Sequence, residues 1–523
     1  MSRPGFVLEV DERTPPLLVH EGEGFRLERF PLGTQVIYPP DAVPGVPDLD
    51  AAVDAALAGP EGSAPLAELL TPGTKLTIVF NDLSVPTPPM AAPDIRSRII
   101  EAVLEVAAAT SVDDVELIAA TGLRRRLTPA ELRSLVGDRI YASFHPDHLR
   151  CHDAEDRATL TLIGSTDEGE DVEVNTRVAD SDLVVFVNVN VGAVTGGALS
   201  CVAGLLSAAS SGHLYGVPGG EIVAGALPDA GLRAADERMA ALLEAKVKVF
   251  RIDSTLDNSM FPSRLSFVDK REWEWSLRDQ GAFLAAQRAN SLTPAKLRHR
   301  LWHNLRAPYR VTGITSGEPG AIRTRTLAQV DAQQRTEVSG QSDIAVFGLP
   351  YSGPYSVNSI TNPVLVAGLG LGEFFNAYRG RPLVRRGGVV ILYHPVPLSF
   401  HPVHHPSYID FYDEVLAGTT DPSTLSQKFE KQFAQDEWYR HLYRNSYAFH
   451  GVHPFHVWYR ACRARDYVGD VICVGADRQA AARLGFRTAS TLADALEMAT
   501  GSVGRSPRIA YLHNPPRTLA DVR

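Results

Sequence analysis

Four short segments carry side chains that could grip or protonate a small polar molecule. Asp82-Leu83-Ser84-Val85-Pro86-Thr87-Pro88 sets one carboxylate beside two hydroxyls. Thr121-Gly122-Leu123-Arg124-Arg125-Arg126 offers guanidinium forks, the geometry that takes carboxylate or phosphate bidentately. His152-Asp153 places an imidazole beside a carboxylate, and Thr195-Gly196-Gly197-Ala198 resembles an anion cradle ahead of a helix. Each has a plainer use. Asp82 and Thr87 suit a helix cap as well as a ligand, Arg124 to Arg126 suit an exposed basic loop, and paired glycines let a helix pack closely on a sheet. Cys201 falls at the expected start of that helix and reads as a buried, inert residue rather than a stabilised thiolate. Downstream, His401, His404 and His405 (SFHPVHHPSY) and His450, His453 and His456 (YAFHGVHPFHVWYR) have metal-ligand chemistry, with His405 and His453 the weak candidates. Proline-interrupted, tyrosine-rich segments also suit a packed surface between domains.

The elements that position these segments repeat one unit: strand, polar loop, helix. Strands are expected at Lys75 to Phe80, Asp114 to Ala119, Asp182 to Val189 and Val247 to Ile252. Helices follow from about Asp94 to Thr110, and from Thr128-Pro129-Ala130-Glu131, a capping box with proline at the first helical position. A third, of small residues, is expected to run to about Ser210. Alternation of this kind implies an α/β fold with mostly parallel sheets, which binds ligands at the loops leaving the carboxyl ends of its strands. Further strands are expected at Asp343 to Phe347, Gly388 to Tyr393 and Asp470 to Val474. The layout expected is two α/β domains with a ligand cleft between them: residues 1–275, a helical connection over 276–340, and a second domain over 341–500. The final strand, about 507–512, is expected to return to the first domain.

In order and spacing, the loops resemble the nickel-pincer-nucleotide-dependent lactate racemase family. That family has a D-x-T-R-P-T-P loop, a T-G-x-H-R loop, an H-D pair and a G-G-x-K loop following an ADLVI-like strand. The segment GADRQAAARLGFRTASTLADALEMA is similar to its closing helix pattern. The resemblance runs from about Lys75 to Leu512. It implies a nickel pincer nucleotide tethered to a lysine, nickel held by a histidine, a histidine pair for acid–base work, and an Arg and a Lys for the substrate carboxylate. This chain departs at most of those positions. Leu199 stands for the tethering lysine, Arg124 for the T-G-x-H-R histidine, and Val85 for the substrate arginine. The histidine ahead of the Gly-rich loop falls near Val189-Asn190, and the second domain's Gln and Lys fall near Ser359 and Asn362. His213 is the approximate counterpart of the nickel histidine.

The resemblance therefore implies a diverged isomerase for a small hydroxy-carboxylate or related anionic metabolite, or a non-catalytic metabolite-binding homologue. Catalysis is assigned to His152, Asp153 and His213. Ligand binding is assigned to Asp82, Ser84, Thr87, Thr121, Gly122, Arg124, Arg125, Asn190, Thr195, Gly196 and Gly197; His213 is also a metal candidate. A net charge of −10 over 523 residues argues against nucleic acid or an anionic membrane as partner. The 4 cysteines form no C-x-x-C pair, which fits a reducing compartment, and a cytoplasmic location is expected. Neither a signal peptide nor a membrane-spanning run is written in the chain.

Overall fold

The computed structural model describes residues 3–83, 88–192, 199–217, 230–353, 355, 358–513 and 517–523. Among them, no helix is long and apolar enough to cross a membrane. The fold is mixed α/β with two large, mostly parallel sheets.

The first sheet runs in the order Val311–Gly317, Lys248–Leu256, Leu183–Asn190, Leu76–Asn81, Val115–Ala120, Leu149–Cys151. All neighbours are parallel except the edge strand Val311–Gly317. Leu183–Asn190 is buried along its whole length, as a central strand covered on both faces must be. The helix Ile95–Ala109 begins at Asp94, whose side chain accepts from the Arg96 amide. The helix Pro129–Val136 carries the expected capping box between Thr128 and Glu131. The third helix differs from expectation. Val202–Gly204 is a single tight turn, and the α-helix starts only at Ala208, capped by Ser207. Cys201 is thus not at a helix start, and burial pushes its thiol up to about 12.

The second sheet runs Phe6–Glu9, Gln35–Tyr38, Ile509–Leu512, Ser342–Gly348, Val384–Tyr393, Asp470–Val474, Arg487–Ala489. Its topology corrects one expectation. Ile509–Leu512 does not join the first sheet; it lies in the second, parallel to both Gln35–Tyr38 and Ser342–Gly348. The sequence IAYL is apolar throughout and all four residues are buried, which suits an interior position. It is the N-terminal segment that crosses over instead. Nor is the connection over 276–340 purely helical. Helices Leu277–Leu292, Ala295–His303 and Pro319–Gln334 flank Val311–Gly317, which closes the first sheet.

Glu272 ties these crossing segments together. Its carboxylate accepts from the Leu18 amide (2.8 Å) and the Tyr38 hydroxyl (2.8 Å), and lies 2.7 Å from His513 Nε2. All three partners are buried. Glu272→Ala would strand an amide, a hydroxyl and an imidazole away from water. We expect it to cost on the order of 3 kcal/mol in denaturant unfolding; a loss well under 1 kcal/mol would show that water replaces the carboxylate.

Candidate ligand cleft

A cavity of about 430 Å³ opens where loops of the first sheet meet the long helix His453–Tyr467. The first sheet contributes Leu123 and Arg124 from the loop after Val115–Ala120. The helix Ala208–Tyr215 contributes Gly212, His213 and Tyr215. The opposite wall is a stripe on one helix: His453, His456, Arg460 and Arg463, with Tyr355 beside it. Steps of three, four and three residues place that stripe on a single face.

The loops that form the mouth are clasped to the helix Glu437–Asn445. The Tyr443 hydroxyl donates to the Gly122 carbonyl (2.7 Å) and accepts from the Ala154 amide (3.1 Å). Asp153 accepts from Arg444 Nε at 2.9 Å. Glu155 accepts from Arg440 Nε (2.7 Å) and pairs with His450 Nε2 (2.9 Å). Burial pushes the Glu155 carboxyl upward, but the bonds from His450 and Arg440 outweigh it and hold it below its ordinary range.

Arg124 donates through Nε to Asp82 (2.7 Å) and through Nη2 to the Ala120 carbonyl (2.7 Å). Burial opposes its charge, yet Asp82 outweighs burial and raises its pKa, so the guanidinium stays ionised. Arg238 is paired with Glu170 (3.0 Å) and Arg460 with Glu373. Arg463 Nε is buried without a hydrogen-bond partner among the described residues. His453 is 5% exposed, and its ring packs edge-on to Tyr355 at 4.8 Å. Burial, reinforced by the charges of His456 and Arg124, lowers its pKa well below the ordinary value, so the ring is neutral. The buried Tyr408 hydroxyl lies 2.6 Å from His453 Nδ1. Burial raises that phenol's own pKa, so it stays protonated. Among the described residues, no lysine lines the cavity.

The residues singled out from sequence divide into four groups. Arg124, His213 and His453 line the cavity. Others support it from behind. Asp82 holds Arg124; Thr121 Oγ1 donates to the His152 carbonyl (3.1 Å); Gly122, at φ +53°, carries the carbonyl that Tyr443 holds. Asn190 is buried at the end of its strand, its Nδ2 without a partner among the described residues. The rest point elsewhere. Burial lowers His152 to about 4, and its Nε2–H donates to the Leu206 carbonyl (2.9 Å). Arg125 is buried in a bidentate pair with Glu131 (2.9 and 2.6 Å). His405 is fully buried, with Ser359 at Nε2 and Asn362 at Nδ1, both at 3.2 Å. Ser84, Thr87, Thr195, Gly196 and Gly197 lie outside the described residues. Sequence reasoning missed Tyr215, Tyr355, Arg460 and Arg463. The two arginines had a signal: they continue the His453–His456 spacing along one helix face.

Residues 25–212 match the lactate racemase N-terminal domain family. Among solved structures, the lactate racemase apoprotein from Thermoanaerobacterium thermosaccharolyticum is similar over 97% of this chain and 99% of its own, at 16% identity and a TM-score of 0.62. A Thermotoga maritima protein is similar over 88% of this chain and 96% of its own, at 13% identity and a TM-score of 0.48. No curated protein matches the chain. The family resemblance read from the loop order is borne out.

Two outcomes test the packing around the cleft. Tyr443→Phe removes one hydroxyl but unpairs two buried backbone groups, and should cost about 1–3 kcal/mol in denaturant unfolding. Glu131 is a pH-dependent element. Burial raises its carboxyl, but Arg125 and Asn358 outweigh burial and hold it at about 2, against an ordinary value of 4.5. A depressed folded pKa stabilises fully above the unfolded value and is lost as pH falls through the folded one. The contribution is on the order of 3 kcal/mol. Wild type should therefore lose stability from about pH 5 to about pH 2 more steeply than Glu131→Gln; parallel profiles would contradict this.

Proposed function

We propose that the cleft binds a small anionic metabolite, a hydroxy-carboxylate or a close chemical relative, and that the protein is a diverged isomerase acting in the cytoplasm. The observation that carries this is the juxtaposition of Arg124 with Arg463 and His453 around one cavity of about 430 Å³. Arg124 spends two of its five N–H donors on Asp82 and Ala120, and a carboxylate can take others. Arg463 supplies a second charge. Tyr215 and Tyr355 add hydroxyls and flat apolar faces. The four cysteines are all free, in keeping with a reducing compartment.

The residues present do not fit the tethered nickel nucleotide of the resembled family. Leu199, at the tether position, is buried in an apolar cluster, and no amine lines the cavity. No step is routed through that group. Proton transfer on a bound substrate falls to His213, an exposed imidazole on the cavity wall. A second reading, a non-catalytic binding protein, is favoured by one observation: His453 is buried, with Nδ1 already engaged by the Tyr408 hydroxyl.

The test combines binding with isotope exchange. Hydroxy-carboxylates should raise the melting temperature of the wild type. Arg463→Met should weaken the tightest of them at least about tenfold, the effect of losing one charge-assisted bond. Exchange of substrate carbon-bound hydrogen with D2O that disappears in His213→Ala supports the isomerase. Binding without exchange supports the second reading. No binding by any carboxylate sinks both.

A further inference from the structure

A second cavity, of about 1160 Å³, shares no lining residue with the cleft. It is lined by the turn between strands Leu17–His20 and Phe25–Glu28 and by the helix Ala295–His303. We propose that Glu23, His299 and His303 in its wall form a binding site for one divalent transition-metal ion of the zinc class.

The helix supplies two imidazoles four residues apart, hence on one face, with ring centroids 4.0 Å apart. The turn supplies the carboxylate from a distant part of the chain. Glu23 Oε1 lies 2.6 Å from His299 Nδ1 and 3.8 Å from His303 Nε2. One ligand atom from each of the three residues lies within 4.8 Å of the others, a grouping of this kind that occurs once among the described residues. The backbone beneath them is held in place. Asn290 Nδ2 donates to the Glu23 carbonyl (2.6 Å), and Asn290 Oδ1 in turn accepts from Trp302 Nε1 (2.9 Å). The Glu21 amide donates to the Gly24 carbonyl at 2.9 Å, closing the turn. Arg298 Nε lies 3.3 Å from the other Glu23 oxygen, Oε2, and so leaves Oε1 turned toward the rings.

Donor chemistry selects the ion. Two imidazoles and one carboxylate suit zinc and its neighbours, whereas calcium and magnesium need more oxygens than this set offers. Three protein ligands leave a fourth position for water or a ligand entering the cavity, the pattern of zinc sites that bind or activate a small molecule. Without metal, the Glu23–His299 hydrogen bond would serve only to clasp the helix to the turn.

The test uses the full chain, stripped with a chelator and titrated with Zn²⁺ and Co²⁺ alone. One equivalent should bind, and bound Co²⁺ should give the intense visible bands of a four-coordinate site. Glu23→Gln and His303→Asn should each weaken binding at least about tenfold. Absence of stoichiometric binding overturns the proposal. So does binding that both variants retain, which would move the ion to another site such as the stacked His401–His404 pair. Should either variant fail to fold, X-ray absorption on the wild-type zinc complex decides instead: a first shell of two imidazoles plus oxygen is expected, and a shell without imidazole overturns the assignment.

Discussion

The hydroxyl of Tyr443 sits between the carbonyl of Gly122 and the amide of Ala154, and so touches two loops of the first sheet from the helix Glu437–Asn445. Everything at the cleft is referenced to that contact. Leu123 accepts from the His450 amide at 3.1 Å, which fixes the loop just before Arg124. His450 then meets Glu155, and Asp153 meets Arg444, so that an imidazole, a phenol and a guanidinium from one stretch of chain anchor both loops. Buried polar contacts of this sort contribute modestly when made and cost heavily when broken. They hold the loops of the first sheet in one place, and with them the distance across which Arg124 faces the His453 helix.

Much of the framework was legible in the sequence because short-range physics wrote it. Apolar runs bounded by polar loops gave the parallel strands. Thr128 and Glu131 announced their helix through a reciprocal cap. The long-range partners were not legible. Nothing local tells Ile509–Leu512 to lie between Gln35–Tyr38 and Ser342–Gly348 rather than beside the first sheet. Nor does spacing distinguish Arg124, which lines the cavity, from Arg125 next to it, which is buried against Glu131. That difference depends on a glutamate six residues on and on Asn358, whose Nδ2 donates to the same carboxylate at 2.6 Å. His152 looked like chemistry and is packing: with Nε2 on a carbonyl and burial lowering its pKa, it is neutral and engaged.

Leu199 joins an apolar cluster, and Arg124 is a permanent cation held by Asp82. The cavity wall combines arginines, which only donate hydrogen bonds, with the imidazoles of His213, His453 and His456. On the proposed function, His213 and His453 are the positions that separate a working enzyme from a binding protein.

The threading of the second sheet has a consequence for biosynthesis. Gln35–Tyr38 leaves the ribosome long before its inner neighbour, Ile509–Leu512. The first sheet, complete once Val311–Gly317 has emerged, can assemble during translation. Gln35–Tyr38 must instead wait with one apolar edge unpaired, paired only on its other side by Phe6–Glu9. Nascent chains of this protein should therefore depend on holdase chaperones late in synthesis, and stalled or truncated products should aggregate through that waiting edge.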